Sequence, residues 1–186
     1  FDYVTINVSS PNTKNLRDLQ KPETLEKILR DVNTINVSLK RKVPIFIKIA
    51  PDLNDSNVTE ILSVCEENNV SGLIATNTTI NPKNLKNPNS FEGGLSGKPL
   101  FNQSNKILRL LAKRKNASTV LIGVGGIFSA SDIYEKIMLG ASAVQIYTGF
   151  VYNGPMHIKR LEMELKNLLL SDGYNSIDGA VGALIR

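Results

Sequence analysis

Five short segments of the chain are rich in Val, Ile, Thr and Ala, and each is followed by a longer stretch with helical periodicity. Short continuous apolar runs of this kind are typical of strands that are buried on both faces. The predicted strands span residues 3–9, 45–50, 72–77, 121–126 and 143–148. The predicted helices span residues 22–39, 56–68, 103–115, 131–139 and 155–170. This alternation predicts an α/β fold with a parallel sheet covered by helices.

Polar residues at the strand ends separate two architectures for such a sheet. Four predicted strands end in side chains suited to contact a ligand, and the strand 121–126 ends in glycines. An open doubly wound sheet concentrates its ligand at one switch point, whereas a (β/α)₈ barrel gathers site residues from many strand ends. The pattern therefore favours the barrel. Because a complete barrel takes about 250 residues, a chain of 186 residues predicts part of one.

Composition and charge narrow the ligand classes. The chain has 22 basic and 17 acidic side chains, and its net charge of +5 favours anionic small molecules or phosphates. Cys65 and His157 are the sole cysteine and histidine, so neither an internal disulfide nor a metal site is predicted. We expect Cys65 in the core and His157 in a surface or structural position. No run approaches the roughly 20 apolar residues that span a bilayer.

The first candidate site is the segment Asn-Val-Ser-Ser-Pro-Asn-Thr, residues 7–13, at the end of the first predicted strand. These residue types also form plain turns, and that reading stays open. The density of hydrogen-bonding groups favours binding, because the Asn7 and Asn12 carboxamides each place a donor beside an acceptor. Such a pair matches the N–H and C=O edge of an imide or amide ring. A third carboxamide, Asn77, ends the strand 72–77 among hydroxyl side chains.

Lys48 interrupts the apolar strand Ile-Phe-Ile-Lys-Ile-Ala. Burying an unpaired ammonium group is costly, so this side chain needs a partner or loses its proton. In one alternative, the stem packs in the core while the head reaches water. An anionic ligand group is the better explanation.

Glycine-rich segments lie where barrels commonly bind phosphate. Gly-Val-Gly-Gly at 123–126 and Tyr-Thr-Gly at 147–149 follow adjacent strands, and the loops after the last two barrel strands often hold a phosphate near a helix N-terminus. The spacing is not GxGxxG, so the dinucleotide fingerprint is not met. Gly-Gly-Leu-Ser-Gly-Lys-Pro at 93–99 fits a binding segment or a plain loop equally well. It lies in the connection 80–102, whose length predicts a functional or mobile loop.

Read in order, the motifs NVSSPNT, KIAPDL, TNTT, GGLSGKPL, IGVGG and QIYTG closely resemble those of the class 2 dihydroorotate dehydrogenases, from residue 2 to 182. The resemblance implies an FMN-containing (β/α)₈ barrel that oxidises dihydroorotate to orotate in de novo pyrimidine biosynthesis. Hydride goes to FMN, and the electrons then pass to a ubiquinone-type quinone. On this resemblance residues 1–186 are the C-terminal portion of one barrel domain, with about the last five β/α units. Its N-terminal strands and membrane-associating helices are absent, so we expect the isolated chain to be inactive.

The resemblance also assigns site residues. Ser10 matches the base that removes the C5 proton, a position at which class 1 enzymes carry cysteine. The residues that match substrate contacts are Asn7, Ser10, Pro11, Asn12, Asn77 and Thr78. The residues that match FMN contacts are Asn7, Lys48, Thr76, Gly97, Gly126, Tyr147 and Thr148, the last three near the phosphate.

The class resemblance predicts the mitochondrial inner membrane as the location, with a bacterial inner membrane as the alternative, and no nucleic-acid partner. Two other readings stay open. One is another FMN barrel, such as a class 1 enzyme or a dihydropyrimidine dehydrogenase-like domain, against which Ser10 in place of cysteine argues. The other is a non-catalytic fragment that binds a partner chain.

Overall fold

The computed structural model describes residues 1–81 and 93–185, and five parallel strands form its sheet. They are β1 (Val4–Asn7), β2 (Ile45–Ile49), β3 (Gly72–Ala75), β4 (Val120–Val124) and β5 (Ala143–Gln145). Each lies within or overlaps one of the five predicted strands, so that prediction is confirmed. In the predicted connection 80–102, residues 82–92 lie outside the described part.

Helices follow the strands as the periodicity predicts. The α-helices are α1 (Pro22–Ser38), α2 (Asp55–Glu67), α3 (Phe101–Arg114), α4 (Ala130–Met138), α5 (Thr148–Asn153), α6 (Met156–Ser171) and α7 (Ile177–Ala180). Short 3₁₀ turns span Leu16–Gln20 and Lys98–Leu100. The sequence did not predict α5 or α7, and β5 ends three residues before the predicted strand. The chain leaves the sheet because Tyr147 adopts φ −125° and ψ −72° and α5 begins at Thr148.

The strands are ordered β1-β2-β3-β4-β5, the same as their order along the chain. This order has no reversal, so the sheet lacks the switch point at which a doubly wound fold binds its ligand. Asn7 pairs with Lys48 in the register, and Ala75 with Gly123. Parallel strands in this register bring their carboxyl ends to one edge of the sheet, where the polar motifs lie.

The core lies on both faces of the central strands. In β2, Ile45, Ile47 and Ile49 join a large cluster with apolar residues of α1, α2 and α3. Phe46 points to the opposite face and packs with Ile74 and Ile122, because successive side chains of a strand alternate between faces. Helices therefore cover one face, and a smaller apolar layer lines the other.

Buried side chains outside the strands test two expectations and reveal one residue that was not expected. Cys65 is 1% exposed in the core, as predicted, and burial followed by the nearby Glu66 charge raises the pKa of its thiol to about 12. His157 is 2% exposed, which confirms a structural position and excludes a surface one. Lys136 is fully buried in α4, which the sequence did not predict.

Candidate functional site

A cavity of about 450 Å³ opens at the carboxyl ends of β2 to β5. Six of the seven residues predicted to contact FMN line it: Lys48, Thr76, Gly97, Gly126, Tyr147 and Thr148. The seventh, Asn7, lies outside the lining. Asn77 and Thr78, which were predicted to contact the substrate, line it as well. Residues from four separate strands and the segment 96–97 therefore meet in one cavity, as the motif order predicted.

Lys48 lies near the end of β2 with its side chain half-buried. It has no hydrogen-bond or ion-pair partner among residues 1–81 and 93–185, and burial lowers the pKa of its ammonium group. An unpaired cation at the wall of a cavity attracts an anionic ligand group. The position therefore fits the prediction that Lys48 faces a negatively charged part of the ligand.

The ends of β3 and β4 are joined behind the cavity. Thr76 is 1% exposed, and its backbone N–H donates to the Val124 carbonyl oxygen at 3.1 Å. The same carbonyl accepts a hydrogen bond from the buried Ser104 hydroxyl of α3 at 2.5 Å. Two donors from different elements therefore fix the carbonyl that precedes Gly125 and Gly126.

Gly126 has a second role that its motif alone did not reveal. Its φ is +74°, and a Cβ at this position would lie 2.5 Å from the Phe101 Cβ. A side chain is therefore excluded both by the backbone conformation and by the first turn of α3. The glycine leaves its backbone in the cavity wall while Phe101 packs directly behind it.

The lining continues at the start of α5. Tyr147 is 80% exposed, whereas Gly149 is buried. The Thr148 hydroxyl donates to the Ser96 Oγ at 2.9 Å and so joins α5 to the segment before Gly97. The two segments predicted to contact the cofactor at 97 and 147–148 are thus in direct contact.

Asn77 connects this cavity with the segment 7–13. Its Nδ2 donates to the Asn7 Oδ1 at 3.2 Å and to the Ser9 Oγ at 3.1 Å. The Ser9 hydroxyl donates to the same Asn7 oxygen at 3.0 Å. Asn7 therefore lies beside the cavity through these bonds rather than in its wall.

Ser10, Pro11 and Asn12 lie outside the cavity lining, in the adjacent loop. The Asn12 backbone N–H donates to the Ser10 Oγ at 3.3 Å. No titratable side chain bonds to that hydroxyl within the described ranges, so the structure assigns no residue that assists it.

Gly94 packs across the same loop. A Cβ at Gly94 would lie 1.9 Å from the Thr78 Oγ1 and 2.6 Å from the Pro11 Cγ. A Cβ at Gly93 would lie 3.0 Å from the Asn12 Oδ1. The close approach at Gly94 brings together residues that were predicted to hold the substrate from two strand ends.

Arg17, which the sequence did not single out, joins these loops by hydrogen bonds. Arg17 donates from Nε to the Ser9 carbonyl oxygen at 3.1 Å and from Nη2 to the Thr78 carbonyl oxygen at 2.8 Å. Its Nη1 donates to the Asp52 Oδ2 at 2.8 Å. Asp52 also accepts hydrogen bonds from Thr79, Ile80 and Gln103.

The environment of Asp52 favours its charged form. Burial alone would raise the pKa of this carboxyl, but the four hydrogen bonds hold that pKa below its usual value. Asp52 lies in the KIAPDL motif, so its proximity to Lys48 in sequence was visible. Nothing in the sequence indicated that Arg17 is its partner.

A second ion pair lies at the start of α4. The Lys98 Nζ donates to both oxygens of Asp132, at 2.7 and 2.9 Å. One of these oxygens also accepts from the backbone N–H groups of Phe128 and Ser129. Burial would raise the pKa of Asp132, but these bonds and the Lys98 charge lower it. The pair ties the segment 97–98 to the loop after β4.

The chain is similar in sequence to proteins of a known family. The family model described as dihydroorotate dehydrogenase matches residues 1–169. The dihydroorotate dehydrogenase (quinone) of Christiangramia forsetii is 48% identical over 169 residues, which are 89% of this chain and 50% of that protein. The protein of the same name from Cereibacter sphaeroides is 46% identical over 182 residues, with 97% and 51% covered.

Solved structures show the same fold. A crystal structure of the Eimeria tenella enzyme, named DHODH in complex with ferulenol, matches with a TM-score of 0.94 and 37% identity. The match covers 100% of this chain and 55% of that one. The chain thus spans about half the length of the relatives that it matches, and the prediction of part of a (β/α)₈ barrel is confirmed.

The predicted mitochondrial location is wrong. The two relatives described above are bacterial proteins, as is a third of the same name from Myxococcus xanthus at 43% identity. Separately, no helix within residues 1–81 and 93–185 has the length and apolar character needed to cross a bilayer. With a family match over residues 1–169 and these relatives, the chain belongs to the dihydroorotate dehydrogenase family, in its quinone-linked class 2.

Proposed function

We propose that this chain supplies the flavin and substrate contacts of an FMN-dependent enzyme that oxidises dihydroorotate to orotate and reduces a ubiquinone-type quinone. The proposal rests on one observation. The cavity at the strand ends is lined by six residues predicted to contact FMN, and Asn77 joins its wall to the segment that carries Ser10. The names of the bacterial relatives support the same activity.

The residues present fit an FMN molecule. Lys48, unpaired within the described chain, would face the anionic part of the flavin ring system. Thr76 and Gly97 would contact the flavin along the cavity, with Asn7 beside it. Gly126, Tyr147 and Thr148 would hold the phosphate, where barrels of this type commonly bind one.

The neighbouring loops suit a planar pyrimidine ring. Asn7, Asn12 and Asn77 offer carboxamides that can donate to the ring carbonyls and accept from its N–H groups. Pro11 and Thr78 both pack closely against Gly94, which brings the two loops together beside the cavity. We propose that these residues orient the substrate so that C5 faces Ser10.

Ser10 Oγ would then take the proton from C5 while its own hydroxyl proton passes to solvent, to which this side chain is partly exposed. When bound, FMN supplies a two-electron acceptor for the hydride from C6 and passes the electrons on to the quinone. A serine hydroxyl is a weak base, so its position against C5 carries most of its effect. Within the described residues, the Ser10 hydroxyl accepts one hydrogen bond, from the Asn12 N–H at 3.3 Å. This bond is long, and it holds the loop without occupying both lone pairs of the hydroxyl oxygen.

We further propose that residues 1–186 are the C-terminal portion of one barrel domain. Strands β1 and β5 each pair with one neighbour only in the described sheet, which fits further strands of the barrel closing the gap between them. On this proposal the isolated chain lacks part of the flavin site and is inactive. A lipid-soluble quinone also implies membrane contact, through a part of the protein outside residues 1–186.

The test uses the full-length protein that carries this chain. We expect a visible flavin absorbance after purification and quinone-dependent formation of orotate from dihydroorotate. Ser10→Ala should lower kcat by a factor of about 10² or more, the usual contribution of a positioned acid or base, while the flavin spectrum persists. Ser63→Ala is the matched control, because among the described residues the Ser63 hydroxyl bonds only to the Glu67 side chain, on the exposed face of α2.

Two outcomes would overturn the proposal. One is a folded full-length protein that binds no flavin. The other is a Ser10→Ala variant that keeps the turnover of the Ser63→Ala control.

A further inference from the structure

Lys136 is the largest fully buried side chain of the described chain, and it lines neither the cavity nor the substrate loops. It extends from α4 across β4 towards α3. Its stem packs on Gly123, where a Cβ would lie 3.0 Å from the Lys136 Cδ and 3.3 Å from its Cβ. Because Gly123 has no side chain, it leaves the space that the Lys136 stem occupies.

The ammonium group is held by neutral partners. It donates to the Ser104 Oγ at 2.8 Å and to the Asn105 Oδ1 at 2.6 Å. It also lies 5.1 Å from the centre of the Phe101 ring. Within the described residues no carboxylate forms an ion pair with it, although the charges of Glu135 and Asp132 lie close enough to act on it. Asn105 also joins it to Glu135, because the Asn105 Nδ2 donates to that carboxylate at 2.8 Å.

Two of these contacts, those with Ser104 and Phe101, lead to the glycine segment at the cavity. Because Lys136 donates to Ser104, the Ser104 hydroxyl hydrogen is directed away from it, to the Val124 carbonyl oxygen at 2.5 Å. That carbonyl immediately precedes Gly125. Phe101, which lies under the ammonium group, also fills the space behind Gly126.

Stability of the fold does not explain a buried ammonium group at this place. Replacing a buried charge together with its polar partners by apolar side chains of similar volume is often neutral or stabilising. An apolar side chain at 136, with apolar partners at 104 and 105, would fill the same path over Gly123 without the desolvation cost. The distinctive property of the lysine is its directed hydrogen bonding, which reaches the strand end at the site.

We propose that Lys136 is a positioning residue, which fixes the backbone of residues 124–126 through Ser104 and Phe101 so that it fits the phosphate group of the flavin. The inference rests on the proposed function, because it takes Gly126 as a phosphate contact. Lys136 itself does not touch the ligand. It acts on flavin binding through the strand end of β4.

The experiment measures FMN binding to the full-length apoprotein by quenching of flavin fluorescence, together with the ³¹P resonance of bound FMN. Lys136→Met removes the donor and keeps the stem. Ser104→Ala removes the link to Val124 and keeps the lysine. Leu111→Ala is the control, because it creates a cavity in the helix of Ser104 at a fully buried position about two turns further along.

We expect Lys136→Met and Ser104→Ala each to weaken FMN binding about tenfold, the effect of losing a hydrogen bond from or to a charged group. Both should shift the ³¹P resonance. Leu111→Ala should lower the Tm of the apoprotein while its folded fraction keeps wild-type affinity and the wild-type resonance.

Wild-type affinity in both Ser104→Ala and Lys136→Met would overturn the inference, as would an equal loss in Leu111→Ala. Should Lys136→Met not fold, Ser104→Ala alone decides between these results. Failure of the wild-type protein to bind FMN is a different outcome, since it overturns the proposed function itself.

Discussion

Arg17 donates to Asp52 at 2.8 Å, and this pair joins the two loops that carry the predicted substrate contacts. The guanidinium group also bonds to the carbonyl oxygens of Ser9 and Thr78, which are separated by 69 positions in the sequence. A planar group with five fixed donors can bond in three directions at once. The pair therefore sets the distance between the loop of Ser10 and the loop of Asn77.

The loss of this link should impair turnover more than flavin binding. In the full-length protein, Arg17→Met leaves the Ser9 and Thr78 carbonyl oxygens without this donor and removes the cationic partner of Asp52. We expect the free energy of unfolding to fall by about 2–3 kcal/mol. We expect kcat to fall at least tenfold at saturating dihydroorotate, while the FMN affinity stays within twofold.

Arg17→Lys is the matched comparison for this prediction. Lysine restores the charge beside Asp52 but reaches fewer acceptors, so stability should recover further than kcat. If Arg17→Lys restores kcat fully, the positive charge rather than the three-way link is what turnover requires.

Asp52 should make stability depend on pH in the acidic range. Its folded-state pKa lies below its unfolded value, so the folded protein favours the charged form. The stabilisation is fully present above the unfolded pKa of about 3.9 and is lost as pH falls through the folded pKa. We expect Asp52→Asn to be less stable than wild type at pH 7, with a difference that shrinks below about pH 4. Urea unfolding of the full-length protein at pH 3–7 measures this, and a constant difference would contradict it.

The sequence was informative wherever a residue broke a local pattern. Lys48 stood out because it interrupts an apolar strand, and the structure places it in the cavity wall. The asparagines stood out because they follow strands, and Asn77 indeed bonds to Asn7. Strand alternation also predicted the parallel sheet. In each case the signal lay within a few residues of the position itself.

Arg17 and Lys136 were missed because their partners are distant in the sequence. Arg17 bonds to Asp52 and Thr78, which lie 35 and 61 positions away. Lys136 had one local signal, since it lies between Ile133 and Ile137 on the apolar stripe of α4. A lysine on such a stripe indicates burial, but only the fold shows which donors and acceptors surround it.

Lys136 should also make stability depend on pH, in the opposite direction from a lysine whose pKa an ion pair raises. Burial lowers its pKa to about 7, against which the charges of Glu135 and Asp132 act to raise it. From α3, the neutral side chains of Ser104 and Asn105 face the ammonium group. The Lys98 charge approaches the same Phe101 ring at 5.0 Å.

The sign of the effect follows from proton counting. Between pH 7 and about 10.4 the unfolded chain holds a proton on this lysine that the folded chain has lost. Stability contributed by this group therefore rises with pH, by up to about 1.4 kcal/mol per pH unit. Lys136→Met lacks this contribution, so the free energy of unfolding of the wild type should rise relative to that of the variant from pH 7 to 9. Urea unfolding across that range checks it, and a constant gap would show that the lysine keeps its proton.

A comparison of Gly126 with Gly154 separates the energetic cost of the backbone conformation from the cost of steric overlap with α3. Gly126 and Gly154 have nearly the same φ, +74° and +72°, yet a Cβ meets Phe101 at 2.5 Å in the first and nothing within 4 Å in the second. Gly154→Ala should cost about 1–3 kcal/mol of unfolding free energy from the backbone conformation alone, because φ +72° with ψ −179° is a region that is essentially restricted to glycine. Gly126→Ala adds a collision with α3 that costs about 1–3 kcal/mol more.

Urea unfolding of both variants measures the difference, and FMN binding should weaken only in Gly126→Ala, since residue 126 lines the cavity and residue 154 does not. Equal losses of stability in the two variants would mean that α3 yields to the added methyl group, and that Phe101 does not hold the strand end in place.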